Sequence, residues 1–285
     1  MNLKHPTATF GVIGHPVDHS LSPFIHKAFA KQWSAKLDYQ AIEIEPNQLV
    51  AGLAKLALND TYGLNVTLPH KRAVLALCHS LTERAKRAQA VNTLTLKDGA
   101  WHGDNTDGAG LVDDLTQRHG IDLRSRRTLL LGSGGAAFGI APALLDAGIA
   151  ELMISNRTAS KVDSLIDALG QPNHVHSRYW EDLGSLGHFD LIINATSAGR
   201  GAEALKLPFN LCADHTVCVD LSYGRSAIDF LAWAQASGSG SILDGLGMLV
   251  EQAAESFYVW QGVRPETDDI YTQLRHLADG VGASE

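Results

Sequence analysis

Short apolar runs alternate with helical patterns along nearly the whole of this 285-residue chain, and this alternation limits the possible folds more than any other feature. It is typical of β-α-β units, in which successive strands lie parallel in one sheet. In the second half the runs are continuously apolar, as expected of strands that helices cover on both faces. Strands are predicted there at residues 128–131, 151–155, 190–194 and 217–221. The sequence therefore predicts an α/β protein with a doubly wound parallel sheet in its second half.

The first half has strand patterns of its own, at residues 9–13, 39–44 and 62–66. Between the first two of these runs, Ser22 is predicted as the N-cap of a helix whose first residue is Pro23. Ser80 and Glu83 have the spacing of a capping box, which predicts another helix start. This half is expected to form a separate α/β domain.

Two further local patterns stand out. The Asp98-Gly99 dipeptide between two strand-like runs predicts a tight hairpin, so the first sheet should carry an antiparallel edge. A long helix is predicted at residues 246–261, because apolar residues recur there on one face and Gly262 follows as a stop signal.

Composition argues against several classes of protein. The chain has 23 Lys and Arg against 31 Asp and Glu, a formal net charge of −8, which does not favour a nucleic-acid surface. No stretch approaches the ~18 apolar residues of a membrane span, and no signal-peptide pattern is seen at the N-terminus. The 3 cysteines have no Cys-x-x-Cys spacing and indicate a reducing compartment. We expect a soluble cytoplasmic protein without membrane or nucleic-acid partners.

A glycine-rich loop directly follows the predicted strand at 128–131. It reads Gly132-Ser133-Gly134-Gly135-Ala136-Ala137, which satisfies the pattern Gly-x-Gly-x-x-Gly/Ala and precedes a helical segment. Such glycines permit a tight turn and the approach of a pyrophosphate, which the N-terminus of the helix then binds. An ordinary strand-to-helix turn is the alternative. The position between strand and helix favours a dinucleotide site in a Rossmann-like domain.

The residues that distinguish NAD from NADP come about 20 positions later. NAD sites usually place a carboxylate there for the ribose hydroxyls, whereas this chain has Asn156, Arg157 and, further on, Lys161. Arg157 and Lys161 can bind a 2′-phosphate, so the sequence predicts NADP. An exposed turn capped by Thr158 or Ser160 is the alternative interpretation.

Four polar clusters in the first half fall at the ends of predicted strands or the starts of predicted helices, where open α/β sheets bind ligands. They are Ser20 to Pro23, Asn65 to Lys71, Ala90 to Thr93 and Gly103 to Gly108. Their hydroxyls, carboxamides, ammonium group and carboxylates suit a small polyhydroxylated acid. The histidines do not group with carboxylates at ligand spacing, so no metal is predicted. His15, His19 and His26 are interpreted as loop or packing residues rather than as bases.

These segments resemble the shikimate dehydrogenase family. The pattern reads GHPVDHSLSP, NVTLPHK, AVNT, GDNTDG, GSGGAA, SNRT, NATSAG and DGLGMLVEQAA, in this order. The resemblance implies reversible, NADPH-dependent reduction of 3-dehydroshikimate to shikimate, on the pathway to chorismate and aromatic amino acids. It also implies a substrate domain at 1–108, an NADP domain at 109–244 with a cleft between the two, and C-terminal helices at 245–285 that return to the substrate domain.

The resemblance also implies roles for individual residues. Lys71 and Asp107 would be the catalytic pair. The residues that would bind substrate with them are Ser20, Ser22, Asn65, Thr67, Asn92, Thr106, Tyr223 and Gln252. The residues that would bind NADP are Gly132, Ser133, Gly134, Gly135, Ala136, Asn156, Arg157, Thr158, Lys161, Thr196, Leu221 and Gly245. The alternatives are structural: Ser20 and Ser22 as caps, Asn92 as a turn residue, Asp107 as a first-turn acid and Gln252 as a boundary residue of its helix.

The chain departs from the family pattern at three positions. Phe138 and Lys161 stand where many relatives carry arginine, and Ser222 stands where an apolar residue is frequent. These departures concern one cationic contact to NADP and the packing beside the nicotinamide. The alternatives for function are a quinate/shikimate dehydrogenase of broader specificity and a non-catalytic NADP- or metabolite-sensing module. For the assembly, a homodimer is one alternative.

Overall fold

The computed structural model describes residues 3–5, 7–59, 61–158, 160–196 and 205–282, and for residues 160, 161 and 278–282 it describes the backbone only. The chain divides into two compact units. The mixed-sheet unit comprises Met1–Leu111 and Leu249–Ala283, and the Rossmann unit comprises Val112–Met248. The first unit is thus built from both ends of the chain.

Both units of the described chain contain strands and helices. The strands are β1 (Thr9–Gly14), β2 (Asp38–Glu43), β3 (Thr61–Val66), β4 (Ser80–Leu81), β5 (Thr93–Lys97), β6 (Ala100–Asp104), β7 (Arg127–Leu131), β8 (Glu151–Ser155), β9 (Val175–Arg178), β10 (Leu191–Asn194), β11 (Val217–Asp220) and β12 (Ser241–Leu243). The helices are α1 (Ser22–Lys31), α2 (Leu49–Ala57), α3 (Glu83–Ala88), α4 (Asp107–Asp113), α5 (Gly135–Asp146), α6 (Ser160–Leu169), α7 (Ile228–Ala236), α8 (Leu246–Gln261) and α9 (Asp268–Gly282).

The sheet of the mixed-sheet unit has the strand order β2-β1-β3-β5-β6-β4. β1 pairs in parallel with β2 and β3, whereas β5 is antiparallel to both β3 and β6. The predicted hairpin is confirmed: Asp98 and Gly99 join β5 to β6 with φ of 51° and 76°, the left-handed conformation that this tight turn requires. The predicted antiparallel edge is wrong, because the short strand β4 pairs in parallel with β6 and forms that edge.

Two predicted helix starts are also wrong. Ser22 is the first residue of α1 and Leu21 is its N-cap; the hydroxyl that accepts a backbone N–H at this end belongs to Ser20, 3.3 Å from the nitrogen of Ser22. Ser80 lies in β4, where its hydroxyl pairs with Nδ1 of His102 at 2.7 Å. The N-cap of α3 is Thr82, which accepts from the Ala85 N–H. In both places a competing hydrogen bond moves the cap.

The Rossmann unit has an entirely parallel sheet with the order β12-β11-β10-β7-β8-β9. The chain runs outward in one direction from β7 to β9 and in the other from β10 to β12. The reversal lies between β7 and β10, and open α/β sheets bind dinucleotides at the carboxyl ends of the strands at such a reversal. The predicted α/β class and Rossmann-like architecture are confirmed.

The helix predicted at residues 246–261 is confirmed as α8. Val250, Ala253, Phe257 and Trp260 are buried, and Nε1 of Trp260 donates to the carbonyl of Leu94 at 3.1 Å. This helix therefore packs directly on the mixed sheet and brings its polar residues to that sheet. Among the described residues, no helix has both the length and the apolar character that crossing a membrane requires.

Candidate active site

The ends of four inner strands of the mixed sheet lie side by side. β1 and β3 end there, β5 begins there because it runs antiparallel to β3, and β6 ends there after the hairpin. The register places Asn65 opposite Thr93, and Thr93 opposite Asp104. Polar segments that are separate in the sequence are neighbours here because of the mixed topology.

Lys71 and Asp107 form an ion pair next to these strand ends. The distance from Lys71 Nζ to Asp107 Oδ2 is 2.6 Å, and the two side chains are 13% and 3% exposed. The carbonyl of Lys71 accepts from the Val91 N–H at 2.7 Å, which ties the segment after β3 to the one before β5. Asp107 begins α4, and its own N–H donates to Asn105 Oδ1 at 3.0 Å. Both partners are thus fixed through their backbones.

Asn92 is the centre of the surrounding hydrogen bonds. Its Nδ2 lies 2.8 Å from Thr106 Oγ1, 2.9 Å from Asp107 Oδ1 and 3.1 Å from Gln252 Oε1. Its Oδ1 accepts from the Thr106 N–H at 2.8 Å. Asp107 is therefore held through both carboxylate oxygens, one by Lys71 and the other by Asn92. Five residues that the sequence singled out are joined here by direct hydrogen bonds: Lys71, Asn92, Thr106, Asp107 and Gln252.

A deeper buried layer supports this arrangement. Asn65 donates to Ser256 Oγ at 2.9 Å and accepts from the hydroxyl of Tyr39 at 2.8 Å. Ser256 in turn lies 3.1 Å from Thr106 Oγ1 and 2.8 Å from Thr93 Oγ1. Tyr39 and Ser256 were missed by the sequence analysis. Ser256 follows Gln252 by four residues and so shares its helix face, but that spacing alone did not mark it as a site residue.

Ser20, Ser22 and Thr67 line the other strand ends. Ser22 is buried against Tyr39: burial raises the pKa of the Tyr39 hydroxyl, and its contact with Ser22 lowers that pKa in part. Ser20 is half-buried directly before α1. Thr67 is half-buried after β3, where its N–H donates to the carbonyl of Ile13 at 2.9 Å. The predicted substrate residue Tyr223 lies in the Rossmann unit, before the turn Gly224–Ala227.

A charged cluster lies at the end of β6, three residues before Asp107. The Arg84 guanidinium makes two hydrogen bonds to the Asp104 carboxylate, at 2.6 and 2.7 Å, and a third at 2.8 Å to Glu255 of α8. Burial alone would raise the pKa of Asp104, but hydrogen bonds and charge from Arg84 hold that pKa below its ordinary value. Asp104 precedes Asn105 and accepts its N–H at 2.7 Å. The cluster therefore anchors the segment that leads to Asp107.

No group of three or more histidine, cysteine, aspartate or glutamate side chains within the described residues is arranged to hold a metal ion.

In the Rossmann unit, the glycine-rich loop lies at the reversal between β7 and β10. Gly132 has a φ of 106°, and a Cβ on it would lie 2.9 Å from the carbonyl group of Ala195, so only glycine fits. Gly134 is the N-cap of α5, and a Cβ there would meet nothing within 4 Å. The Ser133 hydroxyl is buried without a hydrogen-bond partner in the described part of the chain. Open space, the first amides of α5, which have no acceptor within the helix, and the Ser133 hydroxyl fit a pyrophosphate at this loop. Gly135 and Ala136 form the first turn of α5.

The segment after β8 carries the residues predicted to meet the 2′-phosphate. Asn156 Nδ2 donates to the carbonyl of Thr158 at 3.0 Å, which closes the turn on itself. Arg157 and Thr158 are exposed. Lys161 lies in α6, and its side chain is outside the described residues. Phe138, the predicted departure from the family pattern after the glycine-rich loop, is buried in α5 and contributes to the core.

A third group of residues lies at the ends of β10 and β11. Asp220 accepts from Asn194 Nδ2 and from the Ser222 N–H, both at 2.7 Å, and Asn194 Oδ1 accepts from Thr196 Oγ1 at 2.7 Å. Burial raises the pKa of the Asp220 carboxyl to about 6. One hydrogen-bond chain thus links the segments that carry Thr196 and Leu221.

Gly245 lies close behind that chain. Its N–H donates to the carbonyl of Ser222 at 2.8 Å, and a Cβ on Gly245 would overlap the carbonyl of Leu221. Leu221 and Gly245, both predicted to bind NADP, are therefore brought together. The signal for Asp220 and Asn194 was present in the sequence as polar residues that end two apolar strands.

Family models match three segments of the chain. Residues 12–94 match the shikimate dehydrogenase substrate binding domain, residues 114–225 match the family described as shikimate / quinate 5-dehydrogenase, and residues 245–275 match the shikimate 5'-dehydrogenase C-terminal domain. Together these matches cover most of the chain, and they follow the order of the observed elements.

Curated proteins and solved structures agree with these matches. A shikimate dehydrogenase (NADP(+)) of Stenotrophomonas maltophilia is 56% identical over 94% of this chain and 96% of its own length. Another, of Xanthomonas campestris, is 57% identical over 95% of this chain and 96% of its own length. The structure of shikimate 5-dehydrogenase of Thermus thermophilus with NADP(H) and shikimate is 32% identical, with a TM-score of 0.80, over 95% of this chain and 99% of that one.

Proposed function

The chain belongs to the shikimate dehydrogenase family, and we propose that it catalyses the reversible, NADPH-dependent reduction of 3-dehydroshikimate to shikimate. The observation that carries this proposal is the ion pair of Lys71 and Asp107, which lies where strands of the mixed sheet end. Lys71 Nζ is 2.6 Å from Asp107 Oδ2, and Asn92 donates to the other carboxylate oxygen. Its chemistry is that of a proton donor fixed in place, which the reduction of a ketone needs.

We assign the proton transfer to Lys71. The reaction adds a hydride to the ketone carbon and a proton to its oxygen, and NADPH, when bound, supplies the hydride. One N–H of the Lys71 ammonium is used by Asp107, so two remain to point at a substrate oxygen. In the reverse direction the unprotonated amine accepts the hydroxyl proton. Asp107 keeps the nitrogen in place, and Asn92 keeps Asp107 in place.

The neutral polar residues are proposed to bind the substrate's carboxylate and ring hydroxyls. Ser20, Ser22 and Thr67 supply hydroxyls, and Gln252 supplies a carboxamide whose Oε1 contacts Asn92. Asn65 and Thr106 are buried and bonded to protein partners, so we assign them to holding Asn92 and α8 in position. Tyr223 is proposed as a substrate ligand from the Rossmann unit on the resemblance alone.

The cofactor is proposed to bind along the carboxyl ends of the Rossmann strands. Gly132, Gly134 and the N-terminus of α5 would receive the pyrophosphate, since this loop combines open space with unsatisfied donors. Asn156, Arg157 and Thr158 would receive the 2′-phosphate and ribose. Thr196, Leu221 and Gly245 would lie beside the nicotinamide, where the hydrogen-bond chain through Asp220 fixes their backbone.

Replacing Arg157 with alanine is expected to weaken NADP binding about tenfold to hundredfold, because a charge-assisted hydrogen bond contributes about 1.5–3 kcal/mol. NAD binding should scarcely change, since NAD lacks the 2′-phosphate. Titration calorimetry with each cofactor measures this difference. Arg124, which is exposed and paired with Asp122, provides the control Arg124→Ala, which should leave both affinities unchanged. Equal loss of both cofactors in Arg157→Ala would show that Arg157 supports the loop and does not bind the phosphate.

The function as a whole is tested by following nicotinamide absorbance while shikimate and quinate are crossed with NADP and NAD. The proposal expects turnover with shikimate and NADP far above the other three combinations. Turnover mainly with quinate and NAD would favour the quinate/shikimate dehydrogenase alternative. The family that matches residues 114–225 is named for both substrates. Binding of NADP without turnover of either substrate would favour the sensing module.

We also propose that the protein is located in the cytoplasm, which the three free thiols support.

A further inference from the structure

Two of the three cysteines are in direct contact in the Rossmann unit. Cys212 follows the turn Phe209–Leu211, Cys218 lies in β11, and their sulfur atoms are 3.6 Å apart. A disulfide has a sulfur–sulfur distance of about 2.05 Å, so the sulfurs need to approach by only about 1.6 Å. Hydrogen bonds within the connecting segment keep them close: the Ala213 N–H donates to Thr216 Oγ1 at 2.8 Å, and the Thr216 N–H donates to the Ala213 carbonyl at 3.0 Å.

The two thiols differ in a way that suits different chemical roles. Cys212 is half-buried, whereas Cys218 is completely buried in the core of the Rossmann unit. The contact with the Cys218 thiol lowers the pKa of Cys212, and the same contact together with burial raises the pKa of Cys218. The thiolate is the nucleophilic form of cysteine. Cys212 is therefore the sulfur that can both ionise and meet a reagent from solvent.

Cys78 provides an internal comparison. It lies in the mixed-sheet unit, where its thiol donates to the carbonyl of Val74 at 3.2 Å, and burial raises its pKa to about 11. It has the same side chain as Cys212, without a thiol donor that favours its ionised form. Reactivity that followed only from being a cysteine would be shared by Cys78.

We propose that Cys212 and Cys218 form an oxidation site that a hydroperoxide converts into an intramolecular disulfide. The Cys212 thiolate attacks one peroxide oxygen, the O–O bond breaks, and Cys212 becomes a sulfenic acid as an alcohol or water molecule leaves. The Cys218 sulfur then attacks the Cys212 sulfur; the S–O bond breaks, the S–S bond forms, and a water molecule leaves. Two thiols and one peroxide thus give one disulfide, one alcohol or water, and one further water. A dithiol reductant reverses the change. This step does not depend on the proposed dehydrogenase activity.

The test treats the full-length protein with hydrogen peroxide, quenches it with catalase, and alkylates the remaining thiols after unfolding. Mass spectrometry should show the loss of two hydrogen atoms, a Cys212–Cys218 crosslinked peptide, and an alkylated Cys78; dithiothreitol should restore three alkylated thiols. Cys212 should be lost at least about tenfold faster than Cys78, since one pKa unit changes the thiolate fraction about tenfold. Equal rates at Cys212 and Cys78, or crosslinks only between molecules, would overturn the proposal.

Three variants separate the two roles. Cys218→Ser should stop at a Cys212 sulfenic acid that dimedone traps, because the resolving thiol is gone. Cys212→Ser should leave Cys218 reduced at the same peroxide dose, because a buried thiol with a raised pKa reacts poorly. Cys78→Ser is the matched control and should form the disulfide at the parent rate. A disulfide that involves Cys218 in the Cys212→Ser variant would contradict the assigned order of attack. So would a dimedone adduct on Cys218 rather than on Cys212 in the protein that has both thiols.

Discussion

Replacing Lys71 with methionine is expected to lower kcat for shikimate oxidation by about a hundredfold to ten-thousandfold, the range that a positioned acid or base contributes. Methionine keeps the length of the side chain but carries no proton. NADP and shikimate should still bind, because the surrounding hydrogen bonds of Asn92 with Thr106 and Gln252 do not involve Lys71. Steady-state kinetics together with binding measured directly for each ligand separates these effects.

Two further variants interpret that result. Asp107→Asn keeps the shape of the carboxylate but removes its charge, so it should lower kcat by loosening the Lys71 ammonium while the protein stays folded. Lys86→Met is the control, because Lys86 is an exposed lysine of the same unit that pairs with Glu83 at 2.6 Å, and its kinetics should be those of the parent. If Lys71→Met kept a near-normal kcat and raised only KM, Lys71 would be a binding residue and another group would move the proton.

Local signals in the sequence were enough for much of the fold. The continuous apolar runs fix the parallel strands of the Rossmann unit because a strand covered on both faces has no polar side. Asp98-Gly99 and the loop at Gly132 were equally clear, since each requires a backbone conformation that few residues adopt. These features depend on neighbours in the chain, so the sequence alone contains them.

Features that depend on tertiary pairing were less visible. β4 has only two residues and forms the edge of the mixed sheet through pairing with β6, which no local pattern indicates. The cap positions of Ser22 and Ser80 were wrong by one and two residues. The Ser22 N–H donates to the hydroxyl of Ser20 only two residues before it, whereas the Ser80 hydroxyl pairs with His102 of a different strand. Capping propensity describes which hydrogen bonds a side chain can make, whereas the folded structure determines which partner lies within hydrogen-bond distance.

The candidate site shows the same division. The motifs identified Lys71, Asn92, Asp107 and Gln252, but they did not indicate that Asn92 contacts the side chains of both Asp107 and Gln252. Ser256 was hidden because α8 is buried on most of its circumference, so a single hydroxyl does not create a polar face. Such residues are found only when the helix is placed against the sheet.

His26 is expected to make the mixed-sheet unit unstable in acid. Its imidazole is fully buried among aromatic rings, stacked at 4.3 Å on Tyr39 and 5.5 Å from Trp260, and neither ring nitrogen has a hydrogen-bond partner among the described residues. Burial lowers its pKa to about 3, against a smaller opposing effect of the nearby Asn65 side chain, whereas histidine in an unfolded chain titrates near 6.5. The Tyr39 hydroxyl stays neutral over this range, because the ordinary pKa of tyrosine is near 10 and burial raises that of Tyr39 further.

The sign of the effect follows from proton binding. Between pH 6.5 and 3 the unfolded chain binds a proton at His26 and the folded chain does not, so the stability from this residue is complete above pH 6.5 and is lost as pH falls. The loss is about 1.4 kcal/mol per pH unit and about 5 kcal/mol in full, a large part of the ~5–15 kcal/mol that stabilises a typical domain.

The variant His26→Phe keeps an aromatic ring in the core and removes the titration. Its free energy of unfolding should fall less with acid than that of the parent, by about 2–3 kcal/mol between pH 7.5 and pH 4.5. Urea-dependent hydrogen exchange of peptides from α1 and β2 measures this for the mixed-sheet unit separately from the Rossmann unit. His276→Gln, at an exposed position of α9, is the control and should follow the parent curve. Parallel pH curves for His26→Phe and the parent would mean that His26 takes up its proton equally well in the folded chain, and that acid acts on this unit through other groups.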